Sequence, residues 1–334
     1  MTASTESAAR PTAARRRVPD FFIVGHAKCG TTALYEMLSR HPQIFMPSVK
    51  EPQFFARNPP SLAREAKRFE QTGRYPESLD DYLSLFRAAG PDQLVGEAST
   101  FYLWSQTAPA RIAEAQPDAR IIAILREPAS FLRSLHLQMV QNRAESERDL
   151  RRALALEESR RNGRDIPSGA HWPAALMYSD RVRYVEQLRR YHSVFPREQV
   201  LVLIYEDFRR DNEAAVRSVL RFLEVDASAP LELVKANPTV AVRSKRLDNA
   251  WRNVRVGQGP LARGTRSATR ALTSSAMRRT VLYPLRRRLI YSEPPAPDPE
   301  LMSELRRRFR SEVAELSEYL DRDLVGLWGY DDVE

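Results

Sequence analysis

The chain has 334 residues, 43% of them hydrophobic and 28% charged, and a formal net charge of +9. One cysteine, Cys29, excludes an internal disulfide; no run of 18 apolar residues is present to cross a bilayer; five scattered histidines offer no metal cluster. What is left is a soluble globular protein of one or two domains, and the cysteine usage suits a reducing compartment, the cytoplasm.

Residues 1–18 are rich in Ala, Ser, Thr and Arg without an apolar signal-peptide core, and read as a disordered basic tail; residues 19–334 read as the folded domain. That domain opens with Phe21-Phe22-Ile23-Val24, an apolar run expected as a buried strand. Residues 25–32 follow as a short loop with two glycines, a lysine and two threonines, and Leu34, Met37 and Leu38 then recur at helical spacing. A strand, a glycine-containing loop and a helix N-terminus make an anion cradle, because the first helical N–H groups lack partners and the helix dipole favours negative charge. An ordinary tight strand-to-helix turn has the same pattern. Gly25 and Gly30 have the separation of a nucleoside-triphosphate loop, but Thr31 fills the lysine position and Lys28 lies inside the loop. The loop can therefore hold a phosphate but lacks the lysine that grips a β/γ pair.

Residues 41–47 read as a turn and a short extended run. Lys50-Glu51-Pro52-Gln53-Phe54-Phe55 reads as a loop or short strand with two buried phenylalanines; Glu51, just before a proline, is not expected inside a helix. Residues 58–81 are a polar surface excursion and 80–89 a short helix. Leu94-Val95-Gly96-Glu97-Ala98 is a second strand running into Ser99 and Thr100, and 109–115 a short helix. Arg120-Ile121-Ile122-Ala123-Ile124-Leu125 is the clearest strand, apolar as a parallel strand covered on both faces is. It ends at Arg126-Glu127-Pro128, where proline opens a helix carrying Arg133 and Ser134. Residues 149–160 read as a charged helix, 162–169 as a loop, and 174–191 as an amphipathic stretch with Val182, Val185 and Leu188 on one side. Residues 199–205 are another buried strand, ending at Glu206-Asp207, and 211–223 a helix capped by Asp211. A basic loop at 237–246, a proline break at 294–299, an amphipathic helix at 300–320 and an apolar tail at 324–330 that docks on the core complete the chain. Apolar strands alternating with helices argue for an α/β fold: a single doubly wound parallel sheet flanked by helices, with ligands at the C-terminal strand ends.

The charge is unevenly spread. Residues 235–291 hold fourteen Lys/Arg against one acid, Asp248. Such a bias suits an anionic partner, whether nucleotide, acidic glycan, nucleic acid or membrane surface, and equally a solvated arginine-rich face.

Three strand ends carry polar groups: Lys28 and Thr31 on the first, Ser99 on the second, Arg126 on the third. Arg126 and Ser134 lie eight residues apart across a strand–turn–helix, a spacing that can bring a guanidinium fork and a hydroxyl to one phosphate. Two anion sites suit a ligand with phosphates at two ends. On these residues, in this order, the chain resembles the sulfotransferases that use 3′-phosphoadenosine 5′-phosphosulfate (PAPS). Lys28-Cys29-Gly30-Thr31-Thr32 is similar to the family's 5′-phosphosulfate loop, and Arg126 through Ser134 to its 3′-phosphate element. Lys50-Glu51-Pro52-Gln53-Phe54-Phe55 is similar to the segment after the first helix in the heparan-sulfate-type branch, where the glutamate is the proposed acceptor base. Tyr205-Glu206-Asp207-Phe208 and residues 321–330 are similar to bacterial members. One departure stands out: Ala98 follows Glu97 where related glycan enzymes often carry a lysine.

The resemblance covers about residues 19–330 and implies a P-loop-like sulfotransferase fold, with 235–291 a basic lid and substrate-shaping region whose Arg243, Lys245 and Arg246 fall where the family closes on the 3′-phosphate. It implies in-line transfer of a sulfuryl group from PAPS to a hydroxyl or amine of a small molecule, glycolipid or saccharide, with adenosine 3′,5′-bisphosphate (PAP) as product and no metal. The backbone of residues 27–32, with His26, Ala27, Lys28, Cys29, Gly30, Thr31 and Thr32, is expected around the donor, Lys28 stabilising the leaving group. Glu51 is the candidate base, with His136 and His171 as rivals; the alternative for Glu51 is a plain ion pair with Lys50. Residues 142–172 and 250–290 are expected to shape the acceptor pocket. A nucleotide kinase is a competing class, but needs the lysine that Thr31 replaces. A nucleic-acid or membrane-surface binder using 235–291 is the other alternative, but leaves Lys28, Glu51, Arg126 and Ser134 without a role; no nucleic acid is expected as partner.

Overall fold

The computed structural model describes residues 17–56, 76–170, 172–233, 241–242, 291–292 and 294–332, with backbone alone at 241–242 and 291–292. The expectations for the tail at 1–16, the excursion at 57–75, His171, Arg243, Lys245, Arg246 and nearly all of the basic segment lie outside these residues. In chain order the elements are β1 (Phe21–Ile23), α1 (Thr31–Leu38), β2 (Ile44–Phe45), α2 (Leu79–Ser84), β3 (Leu94–Ala98), α3 (Ala108–Ala115), β4 (Arg120–Leu125) and α4 (Pro128–Asn142). They continue with α5 (Leu150–Ala155), α6 (Glu157–Arg161), α7 (Tyr184–His192), β5 (Val200–Ile204), α8 (Tyr205–Arg210) and α9 (Asn212–Phe222). The short strands β6 (Ala241–Val242) and β7 (Tyr291–Ser292) precede the closing helices α10 (Pro299–Leu320) and α11 (Leu324–Trp328).

The chain divides into two compact units, Met1–Leu125 with Glu186–Ala236, and Arg126–Val185 with Asn237–Glu334. The first holds one parallel five-stranded sheet in the order β2-β3-β1-β4-β5, flanked by helices. The apolar runs account for its centre. Phe21, Phe22, Ile23 and Val24 are fully buried, as are Ile121, Ile122, Ala123, Ile124 and Leu125, because parallel strands are covered on both faces. β1 pairs with β3 on one side (Phe22↔Glu97) and with β4 on the other (Phe22↔Ile121). From β1 the chain runs first to β2 and β3, then to β4 and β5, so the strand order reverses at the C-terminal end of β1. An open parallel sheet takes its ligand at such a switch point.

In the second unit α4 packs on α10. Asp298 caps α10, accepting from the N–H groups of Glu300 (3.0 Å) and Leu301 (3.4 Å). The tail expected to dock does so within this unit: Leu324, Trp328 and Tyr330 are buried. A buried, bidentate ion pair organises residues 143–180: Arg160 donates to both oxygens of Glu145 at 2.8 and 2.9 Å. Tyr178 and the N–H of Glu147 donate to the same carboxylate, at 3.1 and 2.8 Å. Both charges are satisfied inside the unit, as burial requires.

Four expectations are corrected. The helix at 149–160 breaks at Leu156 into α5 and α6, and the stretch at 174–191 is two 3-10 turns, Pro173–Leu176 and Ser179–Val182, before α7 begins at Tyr184. One tie helps to hold both irregularities: the Glu157 carboxylate accepts the N–H and the hydroxyl of Ser179, each at 2.7 Å. The strand at 199–205 stops at Ile204, and Tyr205 opens a helix. Within the basic loop at 237–246, β6 pairs antiparallel with β7 (Val242↔Tyr291).

Candidate active site

The loop after β1 is shaped by two glycines with different reasons to be glycine. A Cβ on Gly25 would lie 2.7 Å from the backbone nitrogen of Ile124 and 2.8 Å from its oxygen, so any side chain would collide with β4 itself. Gly30 has φ +89, the left-handed region open to glycine, and the Phe208 ring lies 3.0 Å from where its Cβ would stand. Between them Lys28 also adopts a left-handed conformation, φ 70, at some cost for a residue with a side chain. The loop closes through the Cys29 N–H on the His26 carbonyl (3.3 Å) and delivers the chain into α1, whose first N–H groups have no helical acceptor. His26 is buried with Nε2 2.9 Å from the Gln187 side-chain oxygen, so its ring braces the loop from behind. Cys29 and Thr31 are buried, and Ala27, Lys28, Gly30 and Thr32 are partly exposed.

Glu51 comes to this loop through its neighbour. Lys50 donates from Nζ to Thr32 Oγ1 at 2.8 Å and lies 3.2 Å from Glu51 Oε1. Thr100 donates to Glu51 Oε2 at 3.3 Å. The ion pair weighed as the alternative role of Glu51 is thus present, and it sits at the N-terminus of α1. Glu51 (φ 58) and Gln53 (φ 53) are both left-handed. Such strain is held only when the surroundings over-determine it. Here the Glu51 N–H donates to Ala98 O (3.0 Å), Gln53 N–H to Ser99 Oγ (3.0 Å) and Phe55 N–H to the Tyr102 hydroxyl (3.2 Å). Arg111 donates to the carbonyls of Phe54 (3.1 Å) and Phe55 (3.0 Å), and the Phe54 ring stacks on Tyr82 at 4.6 Å. Ala98, where a lysine was expected by resemblance, is buried at the end of β3 and contributes its carbonyl to Glu51.

Behind this segment lies the carboxyl group of the residue before Ala98. Glu97 is fully buried, and Tyr82 and Tyr102 both donate to its Oε2, at 3.0 and 2.7 Å. Burial pushes its pKa from 4.5 up to about 7; the hydroxyls of Ser99, Tyr102 and Tyr82 oppose that rise, and the charge of Glu51 adds to it. Its Oε1 has no hydrogen-bond partner among the described residues, and the Ser99 hydroxyl lies beside the carboxyl.

In the second unit, Arg126 follows directly on β4 and Ser134 is buried on α4. The turn between them is fixed by Glu127, which accepts from the N–H groups of Ala129 (3.1 Å) and Ser130 (2.6 Å). Tyr330 donates to Glu127 Oε1 at 2.8 Å, and Tyr184 donates to the Arg126 carbonyl at 2.9 Å. Partial burial and the neighbouring Arg126 charge hold the Arg133 guanidinium below its ordinary range, so two guanidinium groups share this turn. His136 is buried, its pKa lowered mainly by that burial, and donates from Nε2 to the Glu147 carbonyl at 2.9 Å. Lys50, Glu97 and Arg133 were named in the sequence without a site role, and Glu127 was named only within the turn. Glu127 alone had a signal, an acidic residue just before a proline at a helix start.

The fold and the loop first define a class: a parallel α/β protein with a glycine-containing strand-to-helix loop at the C-terminal end of its central strand. The model of the sulfotransferase domain matches residues 18–253, and the chain belongs to that family. It is 27% identical over 255 residues to carbohydrate sulfotransferase 15 of Mus musculus, covering 63% of this chain and 44% of that protein. It is 30% identical over 218 residues to bifunctional heparan sulfate N-deacetylase/N-sulfotransferase 3 of Homo sapiens, covering 63% of this chain and 22% of that one. The chain thus spans less than half the length of these relatives. The crystal structure of a sulfotransferase from Alicyclobacillus acidocaldarius is similar with a TM-score of 0.65 at 27% identity, over 93% of this chain and 99% of that chain. The family uses PAPS. The close-packed Gly25, the left-handed Lys28 and Gly30 and the open N-terminus of α1 fit its phosphosulfate end. Among the described residues no helix is long and apolar enough to cross a membrane, and no group of His, Cys, Asp and Glu is placed to hold a metal ion.

Proposed function

We propose that the chain transfers a sulfuryl group from PAPS to a hydroxyl or amine, most specifically of a saccharide. The observation that carries this is the Lys50 ammonium bridging Thr32, at the N-terminus of α1, and Glu51. It joins an anion-binding helix end to a carboxylate suited to take a proton. The names of the carbohydrate and heparan sulfate relatives support the saccharide over a small molecule or a glycolipid. Likeness to the Alicyclobacillus protein along nearly the whole chain supports a bacterial source, and the buried free thiol of Cys29 supports a cytoplasmic one.

When bound, PAPS supplies the sulfuryl group and a leaving phosphate. The backbone N–H groups of residues 27–32 hold the 5′-phosphate, with His26 bracing them through Gln187. Lys28 offsets charge on the leaving oxygen, and Thr31 and Thr32 add hydroxyls. Arg126 and Ser134 take the 3′-phosphate, Arg133 adding charge on the same turn. Arg243, Lys245 and Arg246 are assigned to close over it. Glu51, held by Lys50 and oriented by Thr100, removes the acceptor proton. His136 has its donor nitrogen committed to the Glu147 carbonyl, which favours a structural role over that of a base; His171 is kept as the rival.

The test is transfer of radiolabelled sulfate from PAPS to chondroitin and to N-desulfated heparin. Wild type labels one of them, and Glu51→Gln and Lys28→Ala each lose about 10²-fold or more in kcat. Full turnover in Glu51→Gln would move the base to His171. No labelling together with no binding of PAP would overturn the proposal.

A further inference from the structure

Glu97 is a fully buried carboxyl that the transfer chemistry does not use, and it is the hub of the contacts that hold the Glu51 segment. Its Oε2 accepts from Tyr102, and the Tyr102 oxygen in turn accepts the Phe55 N–H. Ser99, two residues further along the chain, accepts the Gln53 N–H. The left-handed Gln53 is therefore held through Ser99, the chain beyond it through Tyr102, and the left-handed Glu51 by the carbonyl of Ala98, the residue after Glu97.

The protonation state follows from the donors. Two tyrosine hydroxyls serve Oε2, and no hydrogen bond serves Oε1. An ionised carboxylate with one buried oxygen lacking a donor is costly, whereas a neutral acid protonated on Oε1 needs only an acceptor. The Ser99 hydroxyl is the nearby group; it can accept from the acid or donate to the carboxylate, and burial with the adjoining Glu51 charge favours the acid. The groups facing Glu97 are Tyr82 from α2, Tyr102 from the turn after β3, Tyr191 from α7 and Glu51 from the adjoining loop. The three tyrosines are held well above 10 by burial and stay neutral. The remaining neighbour, Glu51, is an acid, and two ionised carboxylates there repel one another.

We propose that Glu97 is a positioning residue of the active site, which in its protonated form holds the Glu51 segment in register through Tyr102 and Ser99. This rests on the reading of Glu51 as the base. A proton on Glu97 ties both anchors to one group. Its loss puts a second negative charge behind Glu51 and removes the donor that Oε1 offers to Ser99, so turnover declines on the alkaline side of neutrality.

The experiment is the pH profile of kcat and KM for sulfate transfer from PAPS, between pH 5.5 and 9, in wild type, Glu97→Gln and Tyr102→Phe, with PAP binding measured by calorimetry in each. Glutamine cannot ionise, so Glu97→Gln is expected to lose the alkaline limb of kcat near pH 7 that wild type shows. Tyr102→Phe keeps the ring but removes the Phe55 anchor, and is expected to lose about 10²-fold in kcat through misplaced Glu51, with KM for PAPS little changed. PAP affinity is expected to stay at the wild-type value in both, which also reports that they fold. An unchanged alkaline limb in Glu97→Gln, or wild-type kcat in Tyr102→Phe, overturns the proposal while leaving the donor site intact. Absence of PAP binding by wild type overturns the donor reading first, and this inference with it.

Discussion

Gly25→Ala is the sharpest probe of the loop geometry. The added methyl would meet the Ile124 backbone nitrogen at 2.7 Å and its oxygen at 2.8 Å, well inside van der Waals contact. Ile124 is fully buried on β4 and paired across to Leu203, so no flexible side chain is available to give way. The relief must come from separating the exit of β1 from β4, which disturbs the loop that starts there. Overpacking of this kind costs about 1–3 kcal/mol. For a domain of this size that is a fall in Tm of about 1–5 °C. Gly163→Ala is the control: Gly163 is also left-handed, φ +75, but has nothing within 4 Å of its Cβ position. It costs only the backbone term, about 1 kcal/mol. Differential scanning calorimetry and PAP titration of both variants decide the matter. Gly25→Ala is expected to lose stability and at least tenfold in PAP affinity, about 1.4 kcal/mol, and Gly163→Ala to keep its affinity. Wild-type Tm and affinity in Gly25→Ala would refute the close approach.

Three further outcomes follow from buried groups. Glu97 has its folded pKa raised from 4.5 to about 7, so it favours the fold below pH 4.5 and that contribution is lost as pH rises to about 7. The change is about 3 kcal/mol at 1.36 kcal/mol per pKa unit, and urea melts across that window should show it in wild type and not in Glu97→Gln. Glu145→Ala leaves the buried Arg160 without its carboxylate and should cost about 3–5 kcal/mol in the same melts; a loss under 1 kcal/mol would contradict the pairing. Tyr330→Phe removes one hydrogen bond to Glu127 and should cost about 1 kcal/mol, with a weaker effect on PAP binding than any change at Arg126.

Local patterns were the legible part. The apolar runs at 21–24 and 121–125 marked the two central strands, since burial on both faces leaves no polar position. The loop of residues 25–32 and the Arg126-Glu127-Pro128 turn were readable because glycine and proline announce their backbone roles. What was hidden depends on distant partners. Lys50 gains meaning from Thr32, eighteen residues earlier, and Glu97 from Tyr82, fifteen residues earlier, and no periodicity encodes either contact. The stretch at 174–191 carried apolar residues at helical spacing, yet Glu157 captures Ser179 and helps to fix turns in place of helix. Tyr205 continued an apolar run but starts α8, where its ring and that of Phe208 cover Gly30.

The most direct test of the donor assignment is calorimetric titration of PAP into wild type and Arg126→Ala. The account predicts a single site in wild type and about a 10²-fold loss in the variant, the effect of removing a charge-assisted contact to phosphate. No heat of binding in wild type, or equal affinity in the two proteins, would contradict it.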